Sequence, residues 1–220
     1  MSIAELYRDG RQRLLGLAAG LGAADAVRPV PACPGWTVKD VYAHLAGVAA
    51  DVLARRLDGM MTEPWTARQV EERASASLAE VCAEWAASGP RLEARLGGGG
   101  RDELVIDVTS HEHDVRGALG RPGARDAPGV GFSLGSVAEG LAGWWPAGLA
   151  AVRVVGDSGT WAFGAGTPAA ILRASDFELL RAFMGRRSRA QLLALGWDAD
   201  AEPYVDHLHV FGPAAADVVE

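Results

Sequence analysis

Leu104, Val108, His111, Val115 and Leu119 recur at spacings of 4, 3, 4 and 4. A helix places such positions on one face, whereas a strand sends successive side chains to opposite sides. The spacing predicts a helix across this segment. The β-branched run Val105-Ile106-Asp107-Val108-Thr109 supports a strand as the alternative.

The segments on either side have the same character. Ile3, Leu6, Leu14, Leu17 and Leu21 predict a first helix over residues 3–22, weakened by Gly10, Gly16 and Gly20. Pro29, Pro31 and Pro34 then forbid a regular helix. A second helix starts at Thr37, with Asp40 as its capping partner and Trp36 and Val41 as a hydrophobic staple. Val70, Leu78, Val81, Trp85, Leu92 and Leu96 predict one long helix over residues 67–96, with a possible bend at Gly89-Pro90 and a stop at the glycines of residues 97–100. Residues 120–131, rich in Gly and Pro, end the helix that contains His111, and a further helix is expected over residues 134–149.

The texture changes after that. Residues 151–164 read as a β-hairpin around a Gly-containing turn, and residues 169–174 as a third strand. Ser175 and Glu178 read as a capping box for a last helix that stops at Gly185. The expectation is a helical domain over residues 1–149 and a small α+β domain over residues 150–220.

A formal charge of -7 and a pI near 5.3 argue against nucleic acid or an anionic membrane as the main partner. No apolar run reaches the roughly 20 residues that a membrane helix needs. Cys33 and Cys82 form no CxxC pair, which fits two reduced thiols in a cytoplasmic protein.

The polar residues of the central helix raise the question of chemistry. At about 100° per residue, Asp107, His111 and Asp114 share one face, and residues four apart carry Cβ atoms about 6 Å from each other. A carboxylate and an imidazole at that spacing can meet one ion. His44, in the apolar setting Val41-Tyr42-Ala43-His44-Leu45, is a third donor. Two histidines and one carboxylate leave open positions on Zn²⁺ or a similar ion. The competing reading is a satisfied core histidine and a solvated Asp/His/Asp face. His113 lies on another face, exposed or behind the donors, and Glu112 points away. His207 and His209 on an extended segment are a separate candidate pair.

Two stretches carry a resemblance. Residues 30–47, VPACPGWTVKDVYAHLAG, and residues 107–120, DVTSHEHDVRGALG, are similar in content and order to segments of the mycothiol-dependent maleylpyruvate isomerase family, within the DinB-like metalloenzyme superfamily. The resemblance spans most of residues 3–120. It implies a DinB-like up-and-down four-helix bundle followed by a small α+β C-terminal domain. It places the metal ligands on His44, on His111, and on Asp107 where glutamate is more usual.

It further implies a divalent metal, with zinc first among candidates, and mycothiol or a similar small thiol as cosubstrate. The activity would be S-transfer to, or isomerisation of, an electrophilic small molecule. Asp114 would hydrogen-bond an imidazole from behind, and Arg186 would hold a carboxylate of thiol or substrate. Trp36 and Cys33 read as packing residues. A monomer or homodimer is expected. A non-catalytic binding module on the same fold and a thiol-independent metallohydrolase are the alternatives.

Overall fold

The computed structural model describes residues 1–220. The chain divides into two compact units, residues 1–123 together with Glu220, and residues 124–219. The first contains α1 (Ile3–Ala18), the short α2 (Ala23–Ala26), α3 (Val38–Ala54), α4 (Glu63–Glu71), α5 (Leu78–Leu96) and α6 (Asp102–Leu119).

Four of these make a bundle: α1 packs against α5 and α6, and α3 packs against the same two. The ring therefore runs α1–α5–α3–α6, with α1 facing α3 across one diagonal. Leu14, Val41, Tyr42, Trp85, Leu92, Val108 and Val115 fill its interior, each no more than 1% exposed. The polar tips of the buried aromatics are satisfied: Trp85 Nε1 donates to Tyr7 Oη at 2.9 Å, and Tyr42 Oη donates to Leu14 O at 2.8 Å.

Local chemistry sets the helix starts. Ser2 with Glu5, Thr37 with Asp40 and Ser77 with Glu80 each form a complete capping box. The helix expected over residues 67–96 is in fact two, α4 and α5, because Ser77 caps a new helix after a turn. Gly89 and Pro90 lie inside α5 without ending it. The first helix stops at Ala18 rather than at residue 22, and the strand alternative for residues 105–109 falls to α6.

Two glycines let helices approach. A Cβ on Gly89 would stand 2.4 Å from Arg11 Nε, in the space used by the Arg11–Glu93 pair. One on Gly47 would stand 2.5 Å from Gln69 Cβ, so α3 accepts α4 closely only because residue 47 has no side chain.

The second unit opens with α7 (Pro128–Gly143), which begins on Pro128 in its first turn and ends six residues before the expected residue 149. It contains β1 (Val152–Val155), β2 (Thr160–Phe163), β3 (Ala170–Arg173), α8 (Asp176–Phe183), α9 (Arg189–Leu193) and β4 (Gly196–Trp197). The sheet order is β2–β1–β3–β4; β1 and β2 form the expected hairpin, and β1 pairs parallel with β3. Because α7 packs on α8 and β2, the division between units falls at residue 123 rather than at 149. Ser175 caps α8, but Glu178 pairs with Arg187 instead of closing the expected box. The class is α+β, a helical bundle followed by a small mixed unit. No helix is long and apolar enough to cross a membrane.

Candidate metal centre

Within the first unit, α3 and α6 bring three donors together. His44 Nε2 stands 3.3 Å from Asp107 Oδ1, and His111 Nε2 stands 3.4 Å from the same oxygen. The three donor atoms all lie within 4.8 Å of one another. Donors held about 2.0–2.1 Å from a tetrahedral ion stand roughly 3.3–3.4 Å apart, so the observed separations fit one ion shared among them. Both imidazoles are buried, whereas the Asp107 side chain is 26% exposed and forms the accessible edge of the cluster.

Each imidazole is held from behind. His44 Nδ1 is 2.8 Å from Gln69 Oε1, and Gln69 Nε2 donates to Asp51 Oδ2 at 2.9 Å. His111 Nδ1 is 2.9 Å from Asp114 Oδ2, which also accepts from the Cys33 thiol at 3.2 Å. The half-buried Trp36 ring stacks on His111, with centroids 5.9 Å apart and planes at 23°, and lies 5.3 Å from the His44 ring. Asp114 thus contacts the His111 ring on the side away from Asp107. Trp36 and Cys33, read as packing residues, both touch the cluster.

The electrostatics match a site for positive charge. Burial alone would raise the Asp107 carboxyl, yet the imidazoles of His44 and His111 outweigh it and hold its pKa well below the carboxylate range. Burial also opposes charge on His111, but hydrogen bonds to Asp107 and Asp114 raise its pKa well above the ordinary value. In the protein by itself the proton on His111 supplies the positive charge that the flanking carboxylates favour. A divalent cation bound by the same donors would supply it instead.

Cys33, His111 and Asp114 form a second possible donor group. Two of its separations, 2.9 and 3.2 Å, are hydrogen-bond lengths and the third, Cys33 Sγ to His111 Nδ1, is 3.8 Å, so none falls within the roughly 3.3–3.6 Å that a shared tetrahedral ion would impose. His207 and His209 belong to no such group, and His207 sits edge-on to Trp145 in the second unit. His113 is buried, not exposed. Glu112 is buried as well, gripped by Arg13 from α1 at 2.8 Å and Arg116 at 3.0 Å. Arg186 lies in the second unit, where its Nη1 donates to Met184 O at 2.6 Å.

Residues 7–126 match the mycothiol maleylpyruvate isomerase N-terminal domain. The chain belongs to that family. The match covers nearly all of the bundle, with His44, Asp107 and His111 inside it. Two solved structures are also similar, mycothiol-dependent maleylpyruvate isomerase and a histidine-to-alanine mutant of it. Their TM-scores are 0.55 and 0.57, each at 14% identity over 83% of this chain and 88% of the other. At that identity the likeness speaks for the fold of this family member. No curated protein matches.

No spacing or motif in the sequence marks Gln69 or Asp51. Gln69 lies in a stretch read only for its apolar period, and its approach to His44 depends on the gap at Gly47.

Proposed function

We propose that this chain is a metal-dependent enzyme that uses a low-molecular-weight thiol of the mycothiol type to isomerise, or transfer sulfur to, an electrophilic small molecule. The observation that carries the reading is the convergence of His44 Nε2, Asp107 Oδ1 and His111 Nε2 at separations of 3.3 and 3.4 Å. Membership of the mycothiol maleylpyruvate isomerase family supports the thiol. Two imidazoles and one carboxylate suit zinc among divalent ions and leave a position for an exogenous ligand.

An ion bound there supplies positive charge that lowers the pKa of a small thiol from about 8.5, so that its thiolate persists at neutral pH. The protein's own residues have separate tasks. Asp107 contributes a charge that stays unprotonated, since its carboxyl is held low. Asp114 accepts from His111 Nδ1 and so turns the other ring nitrogen toward the cluster. Trp36 stacks on the His111 ring and meets the His44 ring at a tilt, walling that side of the donors.

Elemental analysis combined with a thiol assay tests this. Wild-type protein is expected to hold one divalent ion per chain and to consume mycothiol in the presence of an electrophile panel, and His44→Ala and His111→Ala are expected to lose both. Thiol bound without consumption would replace the reading with a binding module. Turnover that persists without thiol would replace it with a metallohydrolase.

A further inference from the structure

Gln69 is fully buried, and so is Asp51. Burying an amide and a carboxylate costs free energy unless each hydrogen-bonding atom is used, so this pair needs an explanation. The bundle makes room for it: the missing side chain at Gly47, one turn after His44, is what lets the Gln69 stem sit against α3. Arg56 reaches Asp51 Oδ1 at 2.7 Å, and Arg68 reaches Oδ2 at 2.9 Å.

The chemistry of the chain fixes its direction. An Asp51 carboxylate only accepts, so the Gln69 amide must present its NH₂ to Asp51 and its oxygen to His44. That oxygen in turn only accepts, so His44 must carry a proton on Nδ1. The lone pair of the neutral ring is then on Nε2, the atom 3.3 Å from Asp107 Oδ1. The orientation of a glutamine, set by a carboxylate anchored to two arginines, thereby decides which nitrogen of His44 is free to bind.

We propose that Gln69, locked by Asp51, is a positioning residue that holds His44 in the tautomer and plane required of a metal donor. This rests on the metal reading given above. It also separates the two histidines: His111 leans on the charged Asp114, whereas His44 leans on a neutral amide and gains orientation without a second carboxylate beside the ion.

Gln69→Leu, which removes the hydrogen bonds at similar volume, tests the inference by zinc affinity and by NMR. Zinc affinity is measured by competition with a chromogenic chelator, folding by circular dichroism, and the Nδ1 proton of His44 as a slowly exchanging resonance in the zinc-loaded protein. The expected result is a folded variant that binds zinc about 10–100-fold more weakly and has lost that resonance. Asp51→Asn, whose amide can offer either edge to Gln69, is expected to shift both readouts the same way, and it decides the matter should the leucine variant not fold. Wild-type zinc affinity with the resonance retained in the variants would overturn this role while leaving the metal centre intact. A wild type that binds no zinc would overturn both.

Discussion

Asp107 is one methylene shorter than the glutamate the family resemblance favours, yet its carboxylate stands within 3.4 Å of both imidazoles. The pair Asp107–His111 was legible in the sequence because i and i+4 on a helix must be neighbours, and His44 because an imidazole in an apolar stretch needs a partner. Gln69 and Cys33 were not, since each reaches the cluster from a segment whose approach is decided by tertiary packing. Proton occupancy at this scale has a definite sign. In the zinc-free protein the lowered pKa of Asp107 gives stability that is present above the unfolded value near 3.9 and lost as pH falls through the folded value. The raised pKa of His111 gives stability that is complete below about 6.5 and lost as pH rises through its folded value. Denaturant midpoints of the zinc-free protein should therefore show the full contribution of the pair between about pH 4 and 6.5 and a decline on the alkaline side, a decline absent from His111→Ala. On the proposed reading zinc would have to displace the His111 proton, so its affinity is expected to rise over the same increase in pH, as chelator competition will read.

Among the elements, α3 starts at the Thr37–Asp40 capping box, two turns before His44. Thr37→Ala removes the hydroxyl that accepts from the Asp40 N–H and leaves that donor unpaired, and a loss of about 1 kcal/mol in denaturant unfolding is expected, with zinc stoichiometry unchanged. The α3–α4 contact is less forgiving. Gly47→Ala would place a methyl 2.5 and 2.7 Å from the Gln69 stem, and should cost roughly 1–3 kcal/mol and weaken zinc binding as Gln69 shifts. An equal zinc affinity in Gly47→Ala would show that α4 gives way without moving the His44 partner. Capping chemistry made the start of α3 readable at Thr37. The break at Ser77 was readable by the same rule, Ser77 with Glu80, but apolar spacing continued across the turn and concealed it. At α7 the first-turn Pro128 was the true start signal, and the Gly-rich text around it hid the helix.

For the molecule as a whole, the chain divides into two units, and His44, Asp107 and His111 all lie in the first. The α+β class and the hairpin were legible from periodicity and turn residues. The division at residue 123 was not, because α7 has helical periodicity like the bundle but buries its face on α8 and β2. On the proposed reading, an ion that tied α3 to α6 would bind the folded chain and not the unfolded one. Zinc at 100 times its Kd is expected to add about 2.7 kcal/mol to stability, reversed by a chelator, with the gain in hydrogen-exchange protection concentrated in α3 and α6. Cys82, whose thiol burial pushes up to about 11, should stay unmodified by alkylating agents at neutral pH in the folded chain.

X-ray absorption at the zinc edge, taken on the loaded protein before and after addition of mycothiol, tests the shared-ion claim most directly. The account predicts a shell of nitrogen and oxygen at about 2.0–2.1 Å with scattering from two imidazoles, and one sulfur at about 2.3 Å that appears only with the thiol. Fewer than two imidazoles, or a sulfur already present without added thiol, would contradict it.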